Sequence, residues 1–187
     1  MKISTGSLIS DLTERTRILL NQAEKLKQTQ GEALNRRQAP ASWSALECIE
    51  HLNLYGDFYL PEIEKAIRNT RHTHPAKIFR SGWLGNYFAQ SMLPKEKLNK
   101  MKTFKDKNPL GSKLDPSVID RFTGQQMEIL NLLDRARNEV DLNRTRTAIS
   151  ISTVIKLKLG DTFRFLIYHN QRHMVQAFRA AGLSDQG

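Results

Sequence analysis

Trp43-Ser44-Ala45-Leu46-Glu47-Cys48-Ile49-Glu50-His51-Leu52 is the stretch on which the fold turns. A serine followed three residues later by a glutamate is a helix start. Ser44 Oγ can accept from the Glu47 backbone N–H while the Glu47 carboxylate reaches back to the Ser44 N–H. The helix so opened runs to about residue 70, by its apolar residues spaced three and four apart. It carries Cys48, His51, Tyr55 and Phe58 on its inward face.

Three more stretches have the same periodicity. One covers roughly residues 5–30, with Leu8, Leu12, Leu19, Ala23 and Leu26 on one stripe. Another begins at Asp115-Pro116, an N-cap followed by a proline-tolerant first turn, and carries Val118, Phe122, Ile129, Leu133, Ala136 and Val140. The last covers roughly 161–181, with Asp161 as N-cap and Gly182 as the residue that ends it. Between the second and third lies a connection of about 45 residues, too long for a plain loop in a compact domain. There Trp83, Leu84, Tyr87, Phe88, Met92 and Leu93 predict a short amphipathic helix, and Lys95–Lys107 reads as a solvated, mobile crossover. Residues 147–159 alternate in part and predict an extended stretch along the helices. The expectation is an all-α four-helix bundle with one long crossover between helices 2 and 3. It is a single domain over 1–187 with a basic insertion at about 72–114.

The chain has 187 residues, 39% of them hydrophobic, and no apolar run long enough to cross a bilayer. Its first residues offer no secretory signal, so a cytoplasmic protein is expected. The single cysteine, Cys48, excludes an internal disulfide and a cysteine-based zinc cage. Of the net charge of +10, residues 65–107 hold most: eleven basic groups stand against Glu96 and Asp106. The rest is nearly neutral and no nucleic-acid-reading motif is present, which argues against a nucleic-acid partner. The basic segment reads as a solvated crossover or as a patch for an anionic ligand.

Five histidines are present, and three of them matter. His169 and His173 lie four apart in the last helix, so both rings leave one face, offset by about 40° and about 6 Å along the axis. Such a pair can chelate a divalent ion, or can simply pack. His51 adds a third inward imidazole from another helix, and three buried rings would otherwise each need a partner. One metal satisfies all three and leaves a fourth position open for water or substrate. Glu47, one turn before His51, is either a cap or an acceptor for an imidazole N–H. Gln176, one turn after His173, is a second candidate for such support. Arg172 points about 100° away from His173 and reads as an inter-helix salt bridge. Cys48 reads as a small buried residue, and His72 and His74 as surface residues of a loop.

Trp43-Ser44-x-x-Glu47-x-x-x-His51-Leu52 and His169-x-x-Arg172-His173-x-x-Gln176, in this order, resemble the DinB-like superfamily. The resemblance implies a four-helix bundle with a three-histidine site for nickel, zinc or a similar ion, ligated by His51, His169 and His173. It also implies a homodimer acting on a small-molecule substrate. The activity it implies is metal-dependent hydrolysis or transfer with a low-molecular-weight thiol such as bacillithiol or mycothiol. The alternative is a non-enzymatic metal-binding bundle whose basic segment docks an anionic partner.

Overall fold

The structure, a computed structural model, describes residues 1–94 and 103–184, the side chain of Thr153 excepted. In chain order it runs β1 (Lys2–Ser4), α1 (Thr5–Lys27), α2 (Gly31–Asn35), α3 (Ala45–Asn69), β2 (Ile78–Arg80), α4 (Trp83–Met92), α5 (Val118–Glu139), β3 (Arg146–Ile149), β4 (Ser152–Lys158) and α6 (Leu159–Ala181). The protein is all-α in character. α1 and α3 each pack against both α5 and α6. The four long helices thus form a ring around one hydrophobic core.

Each long helix forms for reasons local to it. α1 buries Leu8, Leu12, Leu19, Ala23 and Leu26, the stripe expected from their spacing. α3 opens on the expected capping box, with the Glu47 N–H donating to Ser44 Oγ at 3.2 Å and the Ser44 N–H donating to Glu47 Oε2 at 2.8 Å. α6 is buried from Leu159 through Asn170 and stops at Gly182, whose φ of +74° suits glycine.

Two helix starts differ from expectation. Asp115 does not cap α5; its carboxylate accepts from the Ser117 N–H at 2.9 Å and makes a turn ahead of the helix, which begins at Val118. Asp161 does not cap α6 either. The helix begins two residues earlier, and Asp161 lies buried in its first turn. There its carboxylate accepts from Ser81 Oγ, from the Gly82 N–H at 2.8 Å and from Arg164 Nη1 at 3.0 Å.

The crossover is more structured than a solvated loop. β2 pairs antiparallel with β1, Phe79 opposite Ile3, and so ties the first residues of the chain to it. The expected short helix is α4, which packs on α6, but its buried face differs. Gly85, Ala89 and Met92 are buried, while Trp83 is 86% exposed and Tyr87 64%. Small residues let α4 approach α6 closely, and the large rings turn outward. Of the stretch expected to be mobile, residues 95–102 lie outside the described residues. Lys105–Lys107 form a 3-10 turn packed on α3. The extended stretch at 147–159 is a β3–β4 hairpin leading into α6. Among the described residues, no helix is long and apolar enough to cross a membrane.

Candidate metal centre

α3 and α6 lie side by side, and where they meet His51 from one faces His169 and His173 from the other. The ring centroids are 4.5 Å apart for His51 and His173, 4.6 Å for His169 and His173 and 5.1 Å for His51 and His169. One ligand atom from each ring falls within 4.8 Å of the other two. His51 and His169 are buried, and His173 is partly open to a cavity. Trp43 flanks His51 and His173 at 4.6 and 5.6 Å, and Tyr55 flanks His51 and His169 at 5.0 and 4.5 Å.

The hydrogen bonds fix which nitrogens face inward. His51 Nδ1 lies 2.6 Å from the Lys107 carbonyl oxygen. A carbonyl only accepts, so Nδ1 carries the proton and Nε2 presents a lone pair. His173 Nδ1 donates to Gln176 Oε1 at 3.0 Å, leaving its Nε2 likewise free. His51 Nε2 stands 3.2 Å from His169 Nε2. Two imidazole nitrogens that close need a proton or a cation between them. If His169 Nε2 supplies the proton, its Nδ1 becomes a bare lone pair, and that atom is buried without a hydrogen-bond partner among the described residues. A cation shared by the Nε2 atoms satisfies both facing lone pairs, and His169 Nδ1, which has no partner among the described residues, then carries the proton. Two nitrogens on one tetrahedral zinc stand about 3.3 Å apart, so the donor set fits such an ion.

Electrostatics favour the same state. Burial pushes the His51 ring down to about 4. Burial, then the neighbouring imidazoles, holds His169 well below its ordinary value. His173 is lowered in the same way, burial first and His51 next. All three rings are therefore neutral at pH 7, the form that binds metal.

The site opens on a cavity of about 1110 Å³. Its wall includes the three histidines, aromatic and aliphatic residues from α3, α4, α6 and the β3–β4 hairpin, and Arg172 and Arg179. No Asp or Glu is among its described lining residues.

The structure brings together His51, His169 and His173, and adds Gln176 on the outer nitrogen of His173. Glu47 is elsewhere. Its buried carboxylate accepts from Arg37 Nε at 2.8 Å and Nη2 at 2.7 Å, and from the Ser44, Gly111 and Ser112 N–H groups at 2.8, 2.6 and 3.2 Å. Burial alone would raise this carboxyl, but Arg37 and the Ser44 and Gly111 N–H groups outweigh it and hold it below the usual range. Its work is to pin the crossover to the start of α3, not to support an imidazole. Cys48 is fully buried and burial pushes its thiol up, so it stays protonated. His72 is half-buried and His74 exposed, both apart from the cluster. Arg172, expected as an inter-helix salt bridge, is buried and partnered, and it lines the cavity.

Two contributors escape sequence reading. The Lys107 carbonyl carries no signal, because every residue has one. Trp43 did carry one. It occupies the apolar position just before a cap, where a side chain folds back over the helix, and its Nε1–H donates to Asn108 Oδ1 at 3.1 Å.

No curated protein and no solved structure matches the chain significantly. The family model of the DinB superfamily matches residues 12–177, a span that holds the capping box, all three histidines and every long helix in whole or in greater part. The chain belongs to the DinB superfamily.

Proposed function

We propose that the protein is a metal-dependent enzyme, with His51, His169 and His173 holding one divalent ion, nickel or zinc, at the floor of the cavity. The observation that carries this reading is the convergence of three neutral imidazoles on one point, two of them with their outer nitrogens already committed to Lys107 and Gln176. Three protein ligands leave a coordination position for a further group. The ion, when bound, supplies a Lewis acid that makes a water or a thiol a nucleophile near pH 7.

The chain's own groups set the stage for that chemistry. The Lys107 carbonyl and Gln176 Oε1 hold two rings in the ligating tautomer. Trp43, Tyr55 and Phe165 pack against the imidazoles and keep bulk water from that side. Tyr55 is pushed up to about 12, chiefly by burial, so its phenol remains a donor for a substrate oxygen. A cavity of about 1110 Å³ has room for a substrate and a small thiol together. Hydrolysis and thiol transfer both suit this arrangement, in a soluble cytoplasmic protein.

The test is the metal content of gently purified protein by elemental mass spectrometry, wild type beside His51→Ala and His169→Ala. About one nickel or zinc per chain is expected in wild type and none in either variant. Hydrolase and thiol-transfer screens should then give turnover that His169→Ala abolishes. Absence of metal from wild type, even after reconstitution, rejects the reading; bound metal with no turnover in any screen leaves a non-enzymatic metal-binding bundle.

A further inference from the structure

The histidines divide the cavity into two unlike ends, and neither end is needed to hold an ion. On α6 the lining residues run from Phe165 through His169 and His173 to Gln176 and Arg179, a span of about 21 Å at the helical rise. Before the histidines the wall is mostly aromatic and aliphatic, with Ser150 and the Tyr59 hydroxyl as its polar groups. The Phe165 ring lies 5.6 Å from Tyr59 and 6.5 Å from Phe88 of α4, and Ile149 and Leu157 of the hairpin close that end. Beyond the histidines the wall holds polar and cationic residues beside the small apolar Ala39, Ala41 and Ala180. Arg172 and Arg179 from α6 are faced there by Gln38 and Ser42 of the segment before α3. Gln38 Nε2 donates to the Arg179 carbonyl at 2.7 Å and fixes that segment to the helix end.

Charge decides what such a space accepts. Arg172 and Arg179 line the polar end, with no carboxylate among the described lining residues, and a cationic side chain such as exposed Arg179 favours an anionic group there. Guanidinium is also the side chain best shaped for a planar carboxylate. The hydrophobic effect acts at the other end, where aromatic and aliphatic surface faces the cavity.

We propose that the cavity takes an amphipathic anion, with a hydrocarbon limb against Phe88, Phe165 and Leu157 and a carboxylate-class head at Arg172 and Arg179. The reactive bond of such a substrate lies between its two ends, beside the histidines. Only this last placement rests on the metal-dependent reading; the two-ended binding stands without an ion.

Isothermal calorimetry with decanoate, hexanoate and decanol tests it, on wild type and Arg179→Gln, each metal-loaded and chelator-treated. Decanoate should bind more tightly than hexanoate, by about two- to fourfold for each methylene buried. Arg179→Gln should weaken decanoate by about three- to tenfold and leave decanol unchanged, since this arginine is exposed to solvent and its charge is partly screened. Both results should hold in chelator-treated protein. Equal affinities for hexanoate and decanoate would overturn the apolar limb, and indifference of decanoate to Arg179→Gln would overturn the cationic head. Decanoate binding that disappears on chelation would place the carboxylate on the ion and overturn the assignment to the arginines. Failure of the metal reading shows instead in the metal content, which the chelator-treated titrations do not use.

Discussion

Exchanging glycine for alanine within a helix normally stabilises by about 0.5–1 kcal/mol, because the unfolded chain loses freedom. Gly124 of α5 has open space where a Cβ would go, and Gly124→Ala should show that gain. Gly85 of α4 should show the opposite sign. A Cβ there falls 2.5 Å from Asp161 Oδ2 and 2.6 Å from Asp161 Cβ and Cγ, closer than side chains tolerate. Asp161 cannot swing aside cheaply. It is fully buried, holds the Gly82 N–H and Ser81 Oγ, and neutralises Arg164, which is itself fully buried and also bonded to Asn86 Oδ1 at 3.2 Å. Overpacking costs about 1–3 kcal/mol, and parting a buried ion pair about 3–5 kcal/mol. After the helical gain, a net loss of up to about 2.5 kcal/mol is expected if α4 shifts and about 2–4.5 kcal/mol if the pair breaks. For a chain of this size the latter lowers Tm by about 4–18 °C, against a rise of about 1–4 °C for Gly124→Ala. Thermal denaturation followed by circular dichroism measures both. Metal content should be unchanged in either variant, because Asp161 lies about 12 Å along α6 from His169. A Gly85→Ala protein as stable as wild type would refute the close approach of α4 to α6.

Three further outcomes follow from the site and its supports. Chelator-treated protein should lose stability as pH falls from 7.5 to 5, because His51 at about 4 folded against about 6.5 unfolded binds fewer protons in the native state. The loss sets in below pH 6.5, saturates near pH 4, and comes to about 2 kcal/mol at pH 5 from His51 alone, with His169 and His173 shifted in the same direction; a urea midpoint flat across this range would contradict buried neutral rings. Asn108→Ala removes the acceptor for the Trp43 N–H and for the Leu110 N–H, and should loosen the turn that delivers the Lys107 carbonyl. Zinc affinity by competition with a chromophoric chelator should fall about tenfold with the helical spectrum unchanged, and an unaltered affinity would remove this turn from the site. Glu47→Gln should lower stability by more than the ~1 kcal/mol of an ordinary cap, since it also weakens the hold on Arg37 and the crossover. Its metal content should stay at the wild-type value, and loss of metal would return Glu47 to the imidazoles.

What can be read from this chain without its structure is what one helical turn determines. The capping box needs a donor and an acceptor three residues apart, and the His169–His173 pair needs four residues of α-helix; neither depends on what the helix packs against. Where long-range partners compete, the same rules mislead. Asp161 has the look of a cap, an acid just ahead of an apolar run, yet Arg164, Ser81 and Gly82 draw it into the first turn. The rings of Trp83 and Tyr87 suggest a buried face for α4, yet Gly85 and Ala89 are the buried residues, and Asp161 stands directly behind Gly85. β1 and β2 are three residues each, too short for any periodicity, and meet only through the fold.

The same division runs through the site itself. The three histidines come from two local motifs, whereas the walls around them come from α4, the hairpin, the segment before α3 and the end of α6. Those walls share no spacing rule with the histidines, so substitutions in them change what the cavity admits while leaving the three imidazoles and their outer hydrogen bonds in place. The residues that select a substrate for this chain are to be sought at Phe88, Leu157 and Arg179 before the histidines.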